Sequence, residues 1–408
     1  MVSADRGVVA GEKGPFHYML ESFSEHWERV DVIGTRPGKV QQTEVFGNVH
    51  LHHPSTGKLR QASFIARTGK RLTAERPYTV ITSHDYNPFY NGWGSWQISK
   101  HSGVPYVAEL HHVPGFPRPA NLRERFDFRA TRMYARWALS RAAGFRVVNG
   151  CELPPLLRRW GVPDERIHVL PSLYLDTTLF RPAGPPADAP AASEGAVAGA
   201  GSERSLALGA TPEAFDADLF FVGRLVPNKG LGVLLAALDK LENSKLPPLR
   251  LRVLGRGPLA SELAAFAARP DRRHRVEHIE WVEGAEELAE LYRRARLLVC
   301  ASTSEGGPRV VPEAMACGTP SLSTPVGIVP ELIEHSVNGL IFDGSVAALA
   351  AELERFFGNA ALEKTLREAN PPADMSRFDR EQVIANLASG LAEIAARARS
   401  ERSGVVGA

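Results

Sequence analysis

The stretch DLFFVGRLVPNKGLGVLLAALDKLEN (218–243) decides the fold of the second half of this chain. DLFFVG is apolar without alternation and ends in a turn residue, the pattern of a strand buried on both faces. From Gly230 the spacing turns helical. A buried strand feeding a helix through a short loop is the unit of a parallel sheet. Its loop lies at the carboxyl end of the strand, where such sheets bind ligands. That loop carries Gly223, Arg224 and Lys229 beside the start of a helix. A guanidinium fork, a point-like ammonium and backbone N–H groups can meet the charge of a leaving diphosphate without a metal. Two solvated surface cations are the plain alternative.

The same alternation runs outward in both directions. Downstream, LRLRVLG (249–255), VEHIEWV (276–282), RLLVCAS (296–302), PSLSTPVG (320–327) and GLIFD (339–343) are short apolar runs, and AEELAELYRRA (285–295) has helical spacing. Upstream, VDVIG (30–34), TVITS (79–83), PYVAEL (105–110), FRVVNG (145–150) and RIHVLPS (166–172) repeat the pattern. Such alternation predicts parallel sheets with helices on both faces. One segment interrupts it. AGPPADAPAASEGAVAGAGSERSLALGA (183–210) is mostly Ala, Gly, Pro and Ser, and buries too little apolar surface to order itself. The expected class is α/β, with two Rossmann-like parallel-sheet domains facing each other across a cleft. They span residues 1–182 and 215–377, with a linker or insertion at 183–214. A last helix, about 378–398, is expected to pack back on the first domain.

Composition narrows the function classes. The chain has 408 residues, 44% hydrophobic and 23% charged, enough for two cores and typical of a globular protein. A formal net charge of +2 argues against a nucleic-acid binder. The longest apolar runs, such as Leu231 to Leu238, fall well short of the roughly 20 residues of a membrane span. The opening residues mix Asp5, Arg6, Glu12 and Lys13 with short apolar pieces, unlike a secretory signal. Cys151, Cys300 and Cys317 are too few and too scattered for a disulfide frame, and are expected to be reduced thiols of a cytoplasmic protein.

A second motif follows, ASTSEGGPRVVPEAMACGTP (301–320). Pro312 is tolerated only in the first turn of a helix, so the helix begins near Val311. Glu305 lies on the preceding turn, and Glu313 on the first helical turn, with seven residues between them. Both carboxylates are expected to open toward the strand ends, Glu305 to sugar hydroxyls and Glu313 to a ribose diol. Gly306 and Gly307 allow close backbone approach. An acidic residue at a helix start also has a purely dipolar reason to be there.

GRLVPNKG, VLGRGPL (253–259), EGGPRVVPEAMACGTP and PVGIVPELIEHSVNGLIF (325–342) together resemble the C-terminal half of the retaining glycosyltransferases of family 4, with the GT-B fold, over about residues 218–345. The resemblance implies that Glu305 contacts the donor sugar, that Glu313 binds the ribose, and that Arg224 and Lys229 hold the diphosphate. Arg309 and the amides near Val310 and Val311 complete the donor site, and base contacts fall near Trp281. VLGRGPLA, with Glu277 downstream, also resembles a dinucleotide fingerprint, but it follows a second strand instead of a first. Gly255 is therefore read as part of the nucleotide domain.

The first half is less explicit. GVPYVAELHHVPG (103–115) resembles the family's strand whose terminal His reaches the donor sugar, which maps to His111. Adjacent residues of an extended chain point to opposite sides, so His112 is expected to face away. His84 and Gly14, the latter in GEKGPFHYMLESF (11–23), map to the acceptor side; MVSADRGVVA before it is a poor strand. Asp216 and Asp218 sit at the wrong end of a strand for a metal at the donor, and no His cluster is expected. The Arg-rich segment 121–146, with Phe, Met, Tyr and Trp interleaved, reads either as a helix packed on the sheet or as a contact with an anionic membrane.

The expected function is retaining, metal-independent transfer of a hexose-type sugar from a nucleotide-diphosphate sugar to a glycan or lipid-linked acceptor, with no cofactor. The catalytic set is His111, Glu305, Arg224 and Lys229. Peripheral contact with the inner membrane face stays open. The alternatives are an epimerase or hydrolase of the same fold and a non-catalytic nucleotide-sugar binder.

Overall fold

The computed structural model describes residues 1–55, 57, 60–182, 215–370 and 372–405, so the segment read as a linker, 183–214, lies outside the described residues. The N-terminal half runs α1 (Pro15–Ser24), β1 (Val30–Ile33), β2 (Glu44–Val45), β3 (Val49–His52), α2 (Gln61–Glu75), β4 (Ile81–His84), α3 (Tyr90–Ser102), β5 (Tyr106–Leu110), α4 (Leu122–Leu139), β6 (Gly144–Val147), α5 (Leu153–Arg159) and β7 (Ile167–Val169). β4, β5, β6 and β7 form a parallel sheet in that order, and β1, β3 and β2 form a second group. Val2 bridges Ile33 and Ser83 in parallel and joins the two groups into one sheet. Its N–H donates to Thr82 O at 2.8 Å, and its carbonyl accepts from His84 N–H at 3.0 Å. The poor strand MVSADRGVVA thus fills the central position with about three residues. Backbone pairing on both sides, and not its own side-chain pattern, holds it there.

The C-terminal half runs β8 (Ala217–Val222), α6 (Leu231–Leu241), β9 (Arg250–Leu254), α7 (Ala260–Ala267), β10 (Arg275–Ile279), α8 (Ala285–Arg293), β11 (Ala295–Cys300), α9 (Val310–Ala316), β12 (Ser321–Ser323), α10 (Val329–Leu332), β13 (Leu340–Ile341), α11 (Val346–Phe357) and α12 (Ala360–Glu368). Its sheet is ordered β10-β9-β8-β11-β12-β13, and every pairing is parallel. Leu234, Leu238, Leu297 and Val299 lie in its core with essentially no exposure. Each such side chain stabilises the fold by roughly 1.5–3 kcal/mol on burial.

The strand order reverses between β8 and β11, so the loops after these two strands flank the crevice where parallel sheets take ligands. The long helix α13 (Arg380–Val405) crosses back to the first half. Its Val383, Ile384, Leu387 and Leu391 pack with Leu20, Val30 and Val49.

Candidate functional site

The loops after β8 and β11 meet at that crevice. Lys229 Nζ forms an ion pair with Glu305 Oε1, which also accepts from Ser302 Oγ at 2.9 Å. Thr303 N–H donates to Asn228 O at 2.9 Å and ties the loops together. Gly230 sits at φ 76°, and a Cβ there would lie 2.0 Å from Ala301 O, so only glycine lets the loops touch. Arg224 is exposed on the same loop.

Gly255 has a packing reason of its own. A Cβ at this position would stand 1.9 Å from Gly223 O, and one at Gly257 would stand 2.4 Å from Leu225 O. Glu277 is engaged by Arg252 at 2.7 Å. The fingerprint-like glycines therefore let two neighbouring strand ends pass each other. Asp218 is held by Arg250 at 3.2 Å and Arg296 at 3.3 Å, and Asp216 by Arg294 at 2.9 Å.

Glu313 departs from expectation. Its carboxylate is buried, accepting from Tyr292 Oη at 2.9 Å and facing Arg309 Nε at 3.3 Å. Burial pushes its pKa up to about 7, against the pull of Arg309 and Tyr292. It does not open to the crevice, because the first turn of α9 turns this side chain toward α8. Val311 is likewise core, with no exposure, while Val310 is half-buried. Arg309 reaches across to Tyr174, donating to its carbonyl with the guanidinium 4.8 Å from the ring. Trp281 lies just beyond β10, 70% exposed, with the Arg256 guanidinium 5.9 Å from its ring.

The two domains touch through the glutamate loop. A Cβ on Gly306 would lie 1.8 Å from His111 O, so this glycine lets the loop abut the end of β5. Asn149 Nδ2 donates to Gly306 O at 2.8 Å, and Ser304 Oγ to Val113 O at 3.2 Å. Gly307 lies close to Leu173. Glu331 Oε1 accepts from the N–H groups of Gly150 and Cys151 at 2.7 and 2.9 Å.

Beneath this contact lies a cluster that the sequence reading did not assemble. Glu109 and Arg146 face each other on β5 and β6, both essentially buried, with Arg146 Nη1 2.7 Å from Glu109 Oε2. His84 Nε2 and His111 Nε2 approach the same oxygen at 3.0 and 3.2 Å. Burial opposes the charge of Glu109, but Arg146, His84 and His111 outweigh it and hold its pKa well below the usual range. The available signal was a charged residue inside each of two apolar strands, PYVAEL and FRVVNG. Contrary to the expectation of no His cluster, donor atoms of His84, Glu109 and His111 lie within 4.8 Å of one another. The Arg146 guanidinium already supplies the positive charge there, which suits an ion-pair network better than a divalent cation.

Both histidines line the cleft, which corrects the expectation that only one does. The His111 ring belongs to the Glu109 cluster, 4.8 Å from the His84 ring, and burial holds its pKa down at about 4. His112 reaches solvent, yet the cleft walls crowd it enough to lower its pKa. Its charged neighbours are Glu305, Lys229 and Arg224, so His112 is the histidine on the side of the Arg224–Lys229 loop. The chain turns out of β5 between the two, so strand alternation no longer applies. The cleft has a volume of ≈ 850 Å³ and runs from Glu305, Gly306 and Gly307 to Ser3, Asp5, Phe16 and Asp85. His84 lies within it, its Nδ1 3.2 Å from Ser3 Oγ. Gly14 precedes α1 with open space around its Cα.

Two parallel-sheet domains, with their strand ends and a cation–carboxylate loop pair turned to a shared cleft, define a GT-B architecture. Residues 213–371 match the family Glycosyl transferases group 1, and residues 16–172 match the Glycosyl transferase 4-like domain. The chain belongs to the group 1 glycosyltransferases, a family of transferase enzymes. It is 29% identical over 305 residues to a D-inositol 3-phosphate glycosyltransferase of Streptomyces bingchenggensis, covering 71% of this chain and 61% of that relative's length. In fold it is similar to sucrose-phosphate synthase of Thermosynechococcus elongatus, with a TM-score of 0.74 at 20% identity, covering 97% of this chain and 98% of that one. It is also similar to Anabaena HepE, solved with UDP and with UDP-glucose; the UDP complex gives a TM-score of 0.66 at 19% identity, covering 96% and 98%.

Proposed function

We propose that this protein transfers a hexose-type sugar from a nucleotide-diphosphate donor to a hydroxyl of a glycan or lipid-linked acceptor, with retention and without a metal. The observation that carries this reading is the convergence of Arg224, Lys229 and Glu305 at the reversal point of the C-terminal sheet, against the His111–His112 end of β5. Arg224 and Lys229 stabilise the charge that grows on the departing diphosphate. The sugar passes through an oxocarbenium-like state. Glu305, held by Lys229 and Ser302, is oriented to accept hydrogen bonds from the sugar, and His112 flanks the same space. The departing phosphate takes the acceptor's proton on the face it leaves, which keeps the anomeric configuration. HepE, with which the fold is shared, was solved with UDP-glucose, which favours a uridine donor. Glu313 sits behind the Glu305 loop, buried against Tyr292 and Arg309. Three free cysteines, two of them buried, suit a reducing cytoplasm. Among the described residues no helix is long and apolar enough to cross a membrane.

Calorimetric titration with UDP, GDP and ADP in the presence of EDTA tests the reading. Metal-independent binding of one nucleotide, weakened at least tenfold by Arg224→Ala and by Lys229→Ala, is expected. Binding that requires a divalent metal, or that ignores both substitutions, overturns it.

A further inference from the structure

Among the described residues, the helix α4 has one face without a partner. Leu122, Phe126 and Met133 are 79%, 65% and 72% exposed. They recur at i, i+4 and i+11, so they form one stripe about 16 Å long at 1.5 Å per residue. Between and beside them Arg123, Arg125, Arg129, Arg132 and Arg136 are all exposed. The helix's two carboxylates turn away from this face. Glu124 accepts from Ala120 N–H at 2.7 Å, and Asp127 from Asn87 Nδ2 at 2.5 Å. The opposite face is core, with Thr131, Tyr134, Ala135 and Ala138 buried.

A helix packed on the sheet needs the second face and leaves the first unexplained. We propose that the outer face of α4 docks on an anionic lipid surface. Arg123 is paired with Asp127 at 3.9 Å. The other four cations, with no opposing carboxylate among the described residues, fit a negative plane, and long arginine stems let apolar neighbours sink while the guanidinium groups stay at the headgroups. Three apolar side chains cover far less than the ~800 Å² per partner of a stable protein interface. A lipid surface does not need that area. Each arginine near an anionic membrane contributes about 1 kcal/mol, a factor of about five in affinity.

The placement bears on the reaction. Asp127 and Thr131, on the inner side of α4, line the cleft on its acceptor side. Docking through the outer side sets that end of the cleft beside the bilayer. The acceptor, on this view, is the sugar or hydroxyl end of a membrane-held lipid. This last step rests on the transferase reading, whereas the docking face does not.

Vesicle sedimentation of the full chain tests the proposal, using phosphatidylcholine alone and phosphatidylcholine with phosphatidylglycerol. Binding to the anionic vesicles is expected, at least tenfold weaker with neutral ones and weakened by salt. The variant Arg125→Glu/Arg129→Glu/Arg132→Glu should lose about a hundredfold, and Phe126→Ser/Met133→Ser about tenfold. Unchanged Tm and unchanged nucleotide binding in both variants show that they fold. No binding to anionic vesicles, or binding that both variants retain, overturns the proposal. So does a wild-type dimer that Phe126→Ser/Met133→Ser dissociates, since a second copy would then own the face. Vesicle binding without any nucleotide binding would instead sink the transferase reading and leave the docking face standing.

Discussion

Replacing Gly306 by alanine places a methyl group 1.8 Å from the carbonyl oxygen of His111, where ordinary contact begins at 3.4 Å. The loop must retreat by roughly 1.6 Å to restore that contact distance. The Gly306 carbonyl also packs close to the Gly327 backbone, where an added Cβ would stand 2.5 Å away, so a retreat disturbs a second tight contact. Both obstacles are backbone, so no rotamer change relieves them. Forced overpacking of this kind costs about 1–3 kcal/mol. Loss of the Asn149–Gly306 hydrogen bond adds about 1 kcal/mol. The sum, about 2–4 kcal/mol, is met by parting the two domains, which separates Glu305 from the histidine end of β5. At 1.36 kcal/mol per decade, kcat/KM should fall by about thirtyfold or more. Arg224 and Lys229 are untouched, so nucleotide affinity by calorimetry should change less than about fivefold. Steady-state kinetics of the variant beside wild type measures the first effect. Wild-type kcat/KM in Gly306→Ala would refute the reasoning, because the domains would then not need this contact.

Glu313 offers a test of stability against pH. Its folded pKa, about 7, lies above that of an unfolded carboxyl, so the folded state keeps a proton that the unfolded chain has released. The group's contribution is full below the unfolded carboxyl range and is lost as pH rises toward about 7, by at most about 3 kcal/mol. Glu313→Gln should therefore gain Tm relative to wild type between about pH 5 and pH 8; a difference that stays flat across that range counts against the buried carboxyl. His111, held at about 4 by burial, is neutral over the working range. His111→Gln should leave the shape of the pH–rate profile unchanged from about pH 5 to 8, whereas a limb near 6.5 that vanishes in the variant would contradict its placement. Glu109→Gln leaves the Arg146 guanidinium buried without its counter-charge, a loss of about 3–5 kcal/mol by denaturant unfolding. A loss below about 1 kcal/mol would mean that solvent reaches the pair.

Much of this protein was legible in the sequence because the signals were local. Strand-then-helix spacing, the loop GRLVPNKG and the turn EGGPRVV each put their chemistry within a few residues, and parallel sheets place such loops at one end. Residues 218–243 alone defined one β–loop–α unit, with Arg224 and Lys229 at its mouth. Distance in the chain defeated the rest. MVSADRGVVA became a central strand through bonds to Ile33 and Thr82, which no side-chain period announces. Glu313 was turned inward by Tyr292, twenty-one residues away, and by the packing of α8 on α9. His84, Glu109 and Arg146 come from three different strands and His111 from the turn after β5, and only their register brings three polar groups onto one carboxylate. Which histidine meets the Arg224–Lys229 loop was likewise decided where β5 ends and the chain turns against Gly306. Composition and period determine which elements form; which side chains converge is settled only when those elements pack.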